Sequence, residues 1–268
     1  MPGRAEPLFS PEDRAALVAA VDVLERSTLV GRLSSLAGRP LELLGRSLPA
    51  PAAEAVARGT EMALKAALKV ALTSLDRQPA SRIPRLDTVL AATSGAVGGA
   101  LGLITLPLEL PVSTVLMLRT IADIARQEGE DLSDPATALA CLEVFALGSH
   151  TEADDTARGG YFAVRGLLAK SVSQAAKLAA AQGFADQGAP ALVRLVAQIA
   201  SRFGIVVSQK LAAGAVPILG AIGAGAINAA FIEHFRTVAR AHFTVRRLER
   251  AYGRDAVANV YESLRAAA

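Results

Sequence analysis

Two long uncharged segments constrain the fold of this chain more than any other feature. Thr88–Leu108 and Leu211–Ile232 contain no acidic or basic residue, and each is long enough to cross the hydrocarbon core of a bilayer as a helix, which takes about 20 residues. Both are rich in small residues, and neither has the aromatic ends typical of a membrane span. They fit either a tightly packed helical hairpin at the centre of a bundle or helices that enter a membrane.

Glycines in these segments are spaced so that they share a helix face. Gly95 and Gly99 lie four residues apart, as do Gly98 and Gly102, and a helix face without Cβ atoms lets another backbone approach closely. Pro217 and a glycine-rich stretch interrupt the second segment, because neither residue type favours a helix interior. Close helix contact is therefore predicted at Gly95, Gly98, Gly99, Gly102, Gly220 and Gly223.

The composition favours an all-α fold. Hydrophobic residues make up 52% of the 268 residues and charged residues 20%, which is more apolar than a typical soluble domain and argues against long disorder. Alanine and leucine, both strong helix formers, supply much of the excess, and β-branched runs are short. We predict a compact multi-helix domain over residues 51–268 with the glycine-rich apolar hairpin at its centre. Residues 1–50 are predicted to form an N-terminal helical extension.

The distribution of charges argues against nucleic acid as a partner, and the single cysteine is explained by core packing. The net charge is +3, and both signs are interleaved over most of the chain, whereas nucleic-acid-binding proteins concentrate Lys and Arg on one surface. Nucleic acid is therefore not an expected partner. Cys141 lies in an apolar helical stretch and has no second cysteine with which to pair, so we expect it to be a small core residue.

A basic amphipathic helix follows the second uncharged segment. At 100° per residue, five arginines fall within about 40° of one meridian, and aromatic and aliphatic residues lie broadly opposite. Such a helix can lie on an anionic lipid surface with its guanidinium groups at the phosphates, although a charged stripe can equally be an ordinary solvated face. The lipid- or partner-binding candidates are Arg236, Arg240, Arg247, Arg250 and Arg254.

Three polar residues lie within apolar surroundings and are candidates for buried polar positions. Glu109 interrupts the sequence LPLELP, where a buried carboxylate could pair with Arg119 or with a basic residue of the final helix; a water-facing loop position is the alternative. Asn228 lies within the second uncharged segment, and His242 lies on the apolar side of the basic helix.

No catalytic template matches the chain. The sequence has no G-x-S-x-G elbow, phosphate-binding loop, zinc-binding H-E-x-x-H or Glu-x-x-His pair, and three histidines are too few to predict a metal cluster. Ser149 and His150 are neighbours, but adjacency in the chain does not supply the hydrogen bond of a nucleophile–base pair. We expect no metal, no cofactor and a non-enzymatic role.

Several short sequences occur in an order that is typical of one protein family. In chain order they are LITLP (Leu103–Pro107), LRTIADIARQEG (Leu118–Gly129), DLSDP (Asp131–Pro135), ALACLEVFALGS (Ala138–Ser149), VPILGA (Val216–Ala221), Asn228 and AHFTVRR (Ala241–Arg247). The chain resembles the EcsC family of bacterial proteins over most of residues 55–255. The resemblance implies a predominantly helical protein that is cytoplasmic, or peripheral or partly inserted at the inner membrane. It implies no settled activity, and a link to transport or secretion is contextual.

Together these features lead us to expect a membrane-proximal interaction protein that binds anionic lipid or a membrane protein complex. One alternative is a soluble helical protein whose apolar centre opens as a pocket for a lipid or acyl group, with a hydrolase activity as one variant. Another is a scaffold that binds only proteins. Homo-oligomerisation is left open by the sequence.

Overall fold

The computed structural model describes residues 9–37, 48–75, 102–149, 160–182, 189–214 and 224–267. All regular structure in these ranges is α-helical, which confirms the predicted all-α class. The helices described, numbered in chain order, are α1 (Pro11–Arg26), α2 (Leu29–Ala37), α3 (Ala50–Thr73), α4 (Gly102–Gln127), α5 (Pro135–Leu147), α6 (Tyr161–Gln182), α7 (Pro190–Gly214), α8 (Ala224–Tyr252) and α9 (Arg254–Ala267).

Helix α5 is the central element of the described bundle. It packs against α3, α4, α6, α7 and α8, and every side chain from Thr137 to Leu147 is buried. A helix enclosed on all sides must be apolar around its whole circumference, and the fully buried Cys141 is one of its packing residues, as predicted. Glu143 is the one charged residue in this helix.

Helix α8 packs beside the central helix α5 and also contacts the helices at both ends of the described chain. It packs against α1, α2, α4, α5, α7 and α9. An aromatic cluster holds α8 against α5 and α7. Between ring centroids, Phe235 of α8 lies 5.4 Å from Phe145 on α5 and 5.5 Å from Phe203 on α7. The predicted N-terminal extension contributes α1 and α2, which both pack on α8.

Two helix boundaries differ from what the sequence predicts. Pro107 and Pro111 predict the far end of the first apolar helical segment, but α4 runs through both, although each proline removes one backbone donor from the helix. The predicted basic helix also includes Arg254. Helix α8 ends at Tyr252 because Gly253 adopts a positive φ of 90°, a conformation that glycine reaches without a Cβ clash.

Most of the predicted glycine-rich hairpin lies outside the residues that the structure describes. This applies to Gly95, Gly98, Gly99, Gly220 and Gly223, whereas Gly102 is the first residue of α4. The close contacts predicted at these glycines therefore remain predictions.

Candidate functional site

The outer side of α8 binds the loop that joins α4 to α5. Nε and Nη2 of Arg246 each donate to one carboxylate oxygen of Glu130, both at 2.8 Å. Arg250 adds a second guanidinium to the same carboxylate and also donates to the backbone carbonyl of Glu128. Burial alone would raise the pKa of Glu130, but the hydrogen bonds and charges of the two arginines outweigh it and hold this pKa below its usual range.

Arg247 connects the same loop to α1. Its Nε donates to Glu128 at 3.0 Å, and its Nη1 donates to Oδ1 of Asp13 at 2.9 Å. The Tyr252 hydroxyl donates to the other oxygen of Asp13 at 2.7 Å. Hydrogen bonds from Tyr252 and Arg247 lower the pKa of Asp13, so this carboxylate is ionised at neutral pH.

The predicted arginine stripe is therefore divided. Some of its residues bind carboxylates of distant elements of the chain, and the others are more accessible to a partner. Arg247 and Arg250 contact the protein's own carboxylates. Arg236 pairs with Glu233 one turn away at 3.1 Å and keeps 41% of its side chain exposed, and Arg240 is exposed. Arg254 is exposed too but begins α9, so the break at Gly253 removes it from the continuous face of α8.

A buried polar network connects α6 to the inner side of α8. The Tyr161 hydroxyl and Nδ1 of His242 are 2.9 Å apart, and Arg165 donates to that hydroxyl at 3.1 Å. Arg165 also forms a two-point ion pair with Glu249 at 2.8 and 3.0 Å, in which the side chains are only 11% and 10% exposed. A buried ion pair of this kind needs its remaining hydrogen-bonding groups satisfied to offset desolvation.

Burial strongly shifts the pKa values of two ionisable groups in or beside this network, His242 and Glu143. Burial lowers the pKa of His242 well below its usual value, and Arg165 and Arg246 lower it further, so the imidazole is neutral. Its Nε2 is buried without a hydrogen-bond partner among the described residues. Burial raises the pKa of Glu143 to about 7, against the opposing charges of Arg165 and other arginines. The network can thus hold or release a proton near neutral pH at Glu143.

Sequence reasoning singled out His242 as a buried polar position but missed Glu143, Tyr161, Arg165 and Glu249. The structure places His242 in the interior, with no exposed surface. A signal for Glu143 was present, because it is a lone acid in the otherwise apolar stretch ALACLEVFAL. The arginines whose charges act on its pKa come from α6, α8 and α9, and no local sequence pattern indicates that they lie near this helix.

The end of α7 contacts α8 near its start, at one end of the bundle. We call it the apolar end because the uncharged segments Thr88–Leu108 and Leu211–Ile232 adjoin the starts of α4 and α8 and the end of α7 in the sequence. Nζ of Lys210, in the last turns of α7, lies 4.6 Å from the centroid of the Phe231 ring on α8. Burial lowers the pKa of Lys210 to about 8, and the charge of Glu109 on α4 opposes that shift. Glu109 and Asn228, both candidates for buried polar positions, are half-buried near the starts of α4 and α8.

Helix α7 runs to this same end and is the described helix that most resembles a membrane span. By length and composition Pro190–Ala213 could cross a bilayer, and 39% of its most apolar window is buried. Val193 and Ile205 on its outer face are exposed. Core helices of soluble proteins meet the same criterion, so α7 alone is weak evidence for a membrane.

The histidine and serine candidates for chemistry have structural partners where the chain is described. Nε2 of His234 lies 2.6 Å from the carbonyl oxygen of Gly148, so His234 and His242 serve different contacts. The buried Ser149 hydroxyl donates to the carbonyl of Ala146 at 2.5 Å, and His150 lies outside the described residues. Within those residues no group of three or more His, Cys, Asp or Glu side chains could hold a metal ion.

The fold and these contacts define an all-α bundle with a buried central helix and an arginine-bound loop. The chain belongs to the EcsC protein family, whose model matches residues 27–248. The match extends from the end of the first helix through most of α8, and it confirms the resemblance found in the sequence. All of α1 and all of α9 lie outside it. Comparison with curated proteins and with solved structures gave no match.

Proposed function

We propose that this protein is a non-enzymatic, membrane-proximal interaction protein. Its apolar end would meet a membrane or a membrane protein complex, and the available arginines of α8 would meet anionic lipid headgroups. The observation that carries the proposal is the position of Lys210 near the end of α7, where its Nζ lies over the Phe231 ring of α8 and the charge of Glu109 on α4 opposes the lowering of its pKa.

Both uncharged segments of the sequence adjoin this end of the bundle. The first uncharged segment leads into the start of α4, and the second leaves the end of α7 and leads into the start of α8. Both segments are thus joined to the apolar end. Because an exposed apolar patch is a common mark of a membrane or partner site, two uncharged segments that adjoin one end of the bundle in sequence support the proposal.

The charge on α8 complements an anionic membrane. Arg236 and Arg240 lie on the outer face of this helix, and of the candidate arginines on α8 they are the two nearest in sequence to its start at the apolar end. A basic side chain near an anionic bilayer contributes about 1 kcal/mol to binding, and salt screens that contribution. A lipid-facing role for these two arginines therefore predicts binding that depends on lipid charge and ionic strength.

Flotation with vesicles tests this proposal. The protein is expected to float with vesicles that contain anionic phosphatidylglycerol, less with neutral phosphatidylcholine vesicles, and less with either at high salt. The double variant R236E/R240E should bind anionic vesicles at least tenfold more weakly, because each change replaces an attraction of about 1 kcal/mol with a repulsion. The control R58E/K69E makes the same change in charge on the exposed side of α3.

Three other outcomes would contradict parts of the proposal. Equal loss in the control would show a general charge effect without a role for the α8 face. Strong flotation with both lipids that resists salt and both double variants would assign binding to the apolar end alone. A protein that floats with neither lipid would overturn the membrane role, and native mass spectrometry for a bound acyl ligand would then be the next measurement.

A further inference from the structure

The first turn of α1 and the residues before it contact Arg247 and Tyr252 near the end of α8. Phe9 stacks on Tyr252 with ring centroids 4.4 Å apart, and the backbone N–H of Ser10 donates to the Tyr252 hydroxyl at 3.3 Å. Asp13 completes the contact by accepting hydrogen bonds from Tyr252 and from Arg247. These residues, Phe9 to Asp13, are called the N-terminal latch below.

The latch is attached more weakly than the rest of α1. Leu17, Val21 and Leu24 are buried in the core and hold the helix body on the bundle. In the latch, by contrast, the Asp13 and Arg247 side chains are 21% and 38% exposed, and partly exposed ion pairs contribute little net stability. The first turn can therefore separate from Arg247 while the body of α1 stays in place.

Asp13 presents to Arg247 the same chemistry that a lipid phosphate would present. Both groups offer anionic oxygens to a guanidinium, which binds carboxylate and phosphate in similar geometries. Glu128 holds Nε of Arg247, and Asp13 holds Nη1. Loss of Asp13 would free one edge of the guanidinium and leave the contact with the α4–α5 loop intact.

We propose that the N-terminal latch is an autoinhibitory contact in which Asp13 occupies the position of a lipid phosphate on Arg247. Binding to an anionic membrane exchanges Asp13 for a phosphate and releases the latch. This inference rests on the proposed membrane function and adds a regulation to it. The latch lies outside the residues that match the family model, so the regulation is attached to the family's helical core and is not part of it.

The test compares two Asp-to-Asn variants of the full chain in titrations with phosphatidylglycerol-containing vesicles. Asp13→Asn keeps the shape of the side chain and a group that can accept the Tyr252 hydrogen bond, but it removes the charge that holds Arg247. Asp22→Asn makes the same charge change on α1 at an exposed residue that pairs only with the surface residue Arg26 among the bonds described. Release of one arginine should make D13N bind about fivefold more tightly than D22N.

Hydrogen exchange of the wild-type protein gives a second measurement that needs no variant. Amides in residues 10–14, which include the bond from Asp13 N to Ser10 Oγ, should exchange faster when anionic vesicles are added, and exchange in residues 17–24 should not change. Neutral vesicles should have no effect on either segment.

The outcomes separate the latch from the proposed function. If wild type binds anionic vesicles but D13N and D22N bind alike, or if the latch amides stay protected on the vesicle, the latch is overturned and the membrane role stands. If neither wild type nor the variants bind, the membrane role fails and the latch fails with it. Tighter binding by D13N alone, together with faster exchange in the latch, supports the latch.

Discussion

Among individual residues, Glu143 has the least ordinary environment. Its carboxyl group lies in the central helix, where every neighbouring position of that helix is buried, and the charges that act on its pKa belong to the Arg165–Glu249 pair and to arginines of α8 and α9. Since burial raises the pKa of Glu143 to about 7, the native protein holds this proton at pH values where the unfolded chain has released it. The free energy of unfolding therefore decreases as pH rises from about 4.5 to about 7.

Replacement of Glu143 by Gln should remove this dependence, because Gln has nearly the same shape and no proton to lose. Relative to wild type, the free energy of unfolding of E143Q should rise between pH 5 and pH 8 by about 2–3 kcal/mol, because most of the shift of the Glu143 pKa from 4.5 to about 7 takes effect within this pH window. Denaturant titrations of both proteins at these two pH values give the difference directly. His242 titrates in both proteins, so its effect cancels. A difference that does not vary with pH would contradict the assignment.

Among elements, the boundaries of the helices show what the sequence can and cannot reveal. Ser10 with Pro11 and Asp134 with Pro135 are local capping signals at the starts of α1 and α5, and the side chains of Ser10 and Asp134 accept hydrogen bonds from backbone N–H groups in the first turn of each helix. These starts are predictable because cap and helix are adjacent in the chain. The partners of Arg247 were not predictable, because Asp13 is 234 positions away and a helical pattern indicates a face but not what covers it.

The break between α8 and α9 gives a prediction for a pair of glycines. Gly253 has a φ of +90°, whereas Gly166 lies inside α6, and an added Cβ would meet no atom within 4 Å at either position. Gly253→Ala should lower the free energy of unfolding by about 1 kcal/mol, because alanine is strained at positive φ. Gly166→Ala should raise it by about 0.5–1 kcal/mol, because alanine loses less backbone entropy in a helix. Thermal or denaturant unfolding of both variants measures the two shifts, and shifts of the same sign would contradict this account.

For the whole molecule, the enclosure of α5 by five other helices predicts how the bundle opens. No face of this helix reaches water over Thr137–Leu147, so its amides cannot exchange through a local opening that leaves the surrounding helices in place. Exchange from residues 139–147 should report the same free energy as global unfolding by denaturant. Amides of α9, which packs on α1 and α8 only among the main helix contacts, should exchange at a lower free energy. Equal protection of α5 and α9 would be inconsistent with this order.

The class of fold and the family could be predicted at this scale, whereas the surface that binds a partner could not. Composition and proline–glycine spacing sufficed for the all-α class, because alanine- and leucine-rich segments have few other options. From helical periodicity alone, the sequence predicts that the five arginines share one helix face. The structure divides them, since Arg247 and Arg250 contact acids of a distant loop while Arg236 and Arg240 stay available.

The pairing of α1 with α9 has a consequence for the time at which the protein can be completed on the ribosome. Glu25 of α1 accepts hydrogen bonds from the backbone N–H of Tyr161 and from the hydroxyl of Tyr261 on α9. Translation supplies about 5–20 residues per second, so α1 emerges roughly 10–50 seconds before the helix that completes its contacts. The apolar side chains Leu17, Val21 and Leu24 therefore cannot be buried against α8 and α9 until these two helices have been synthesised.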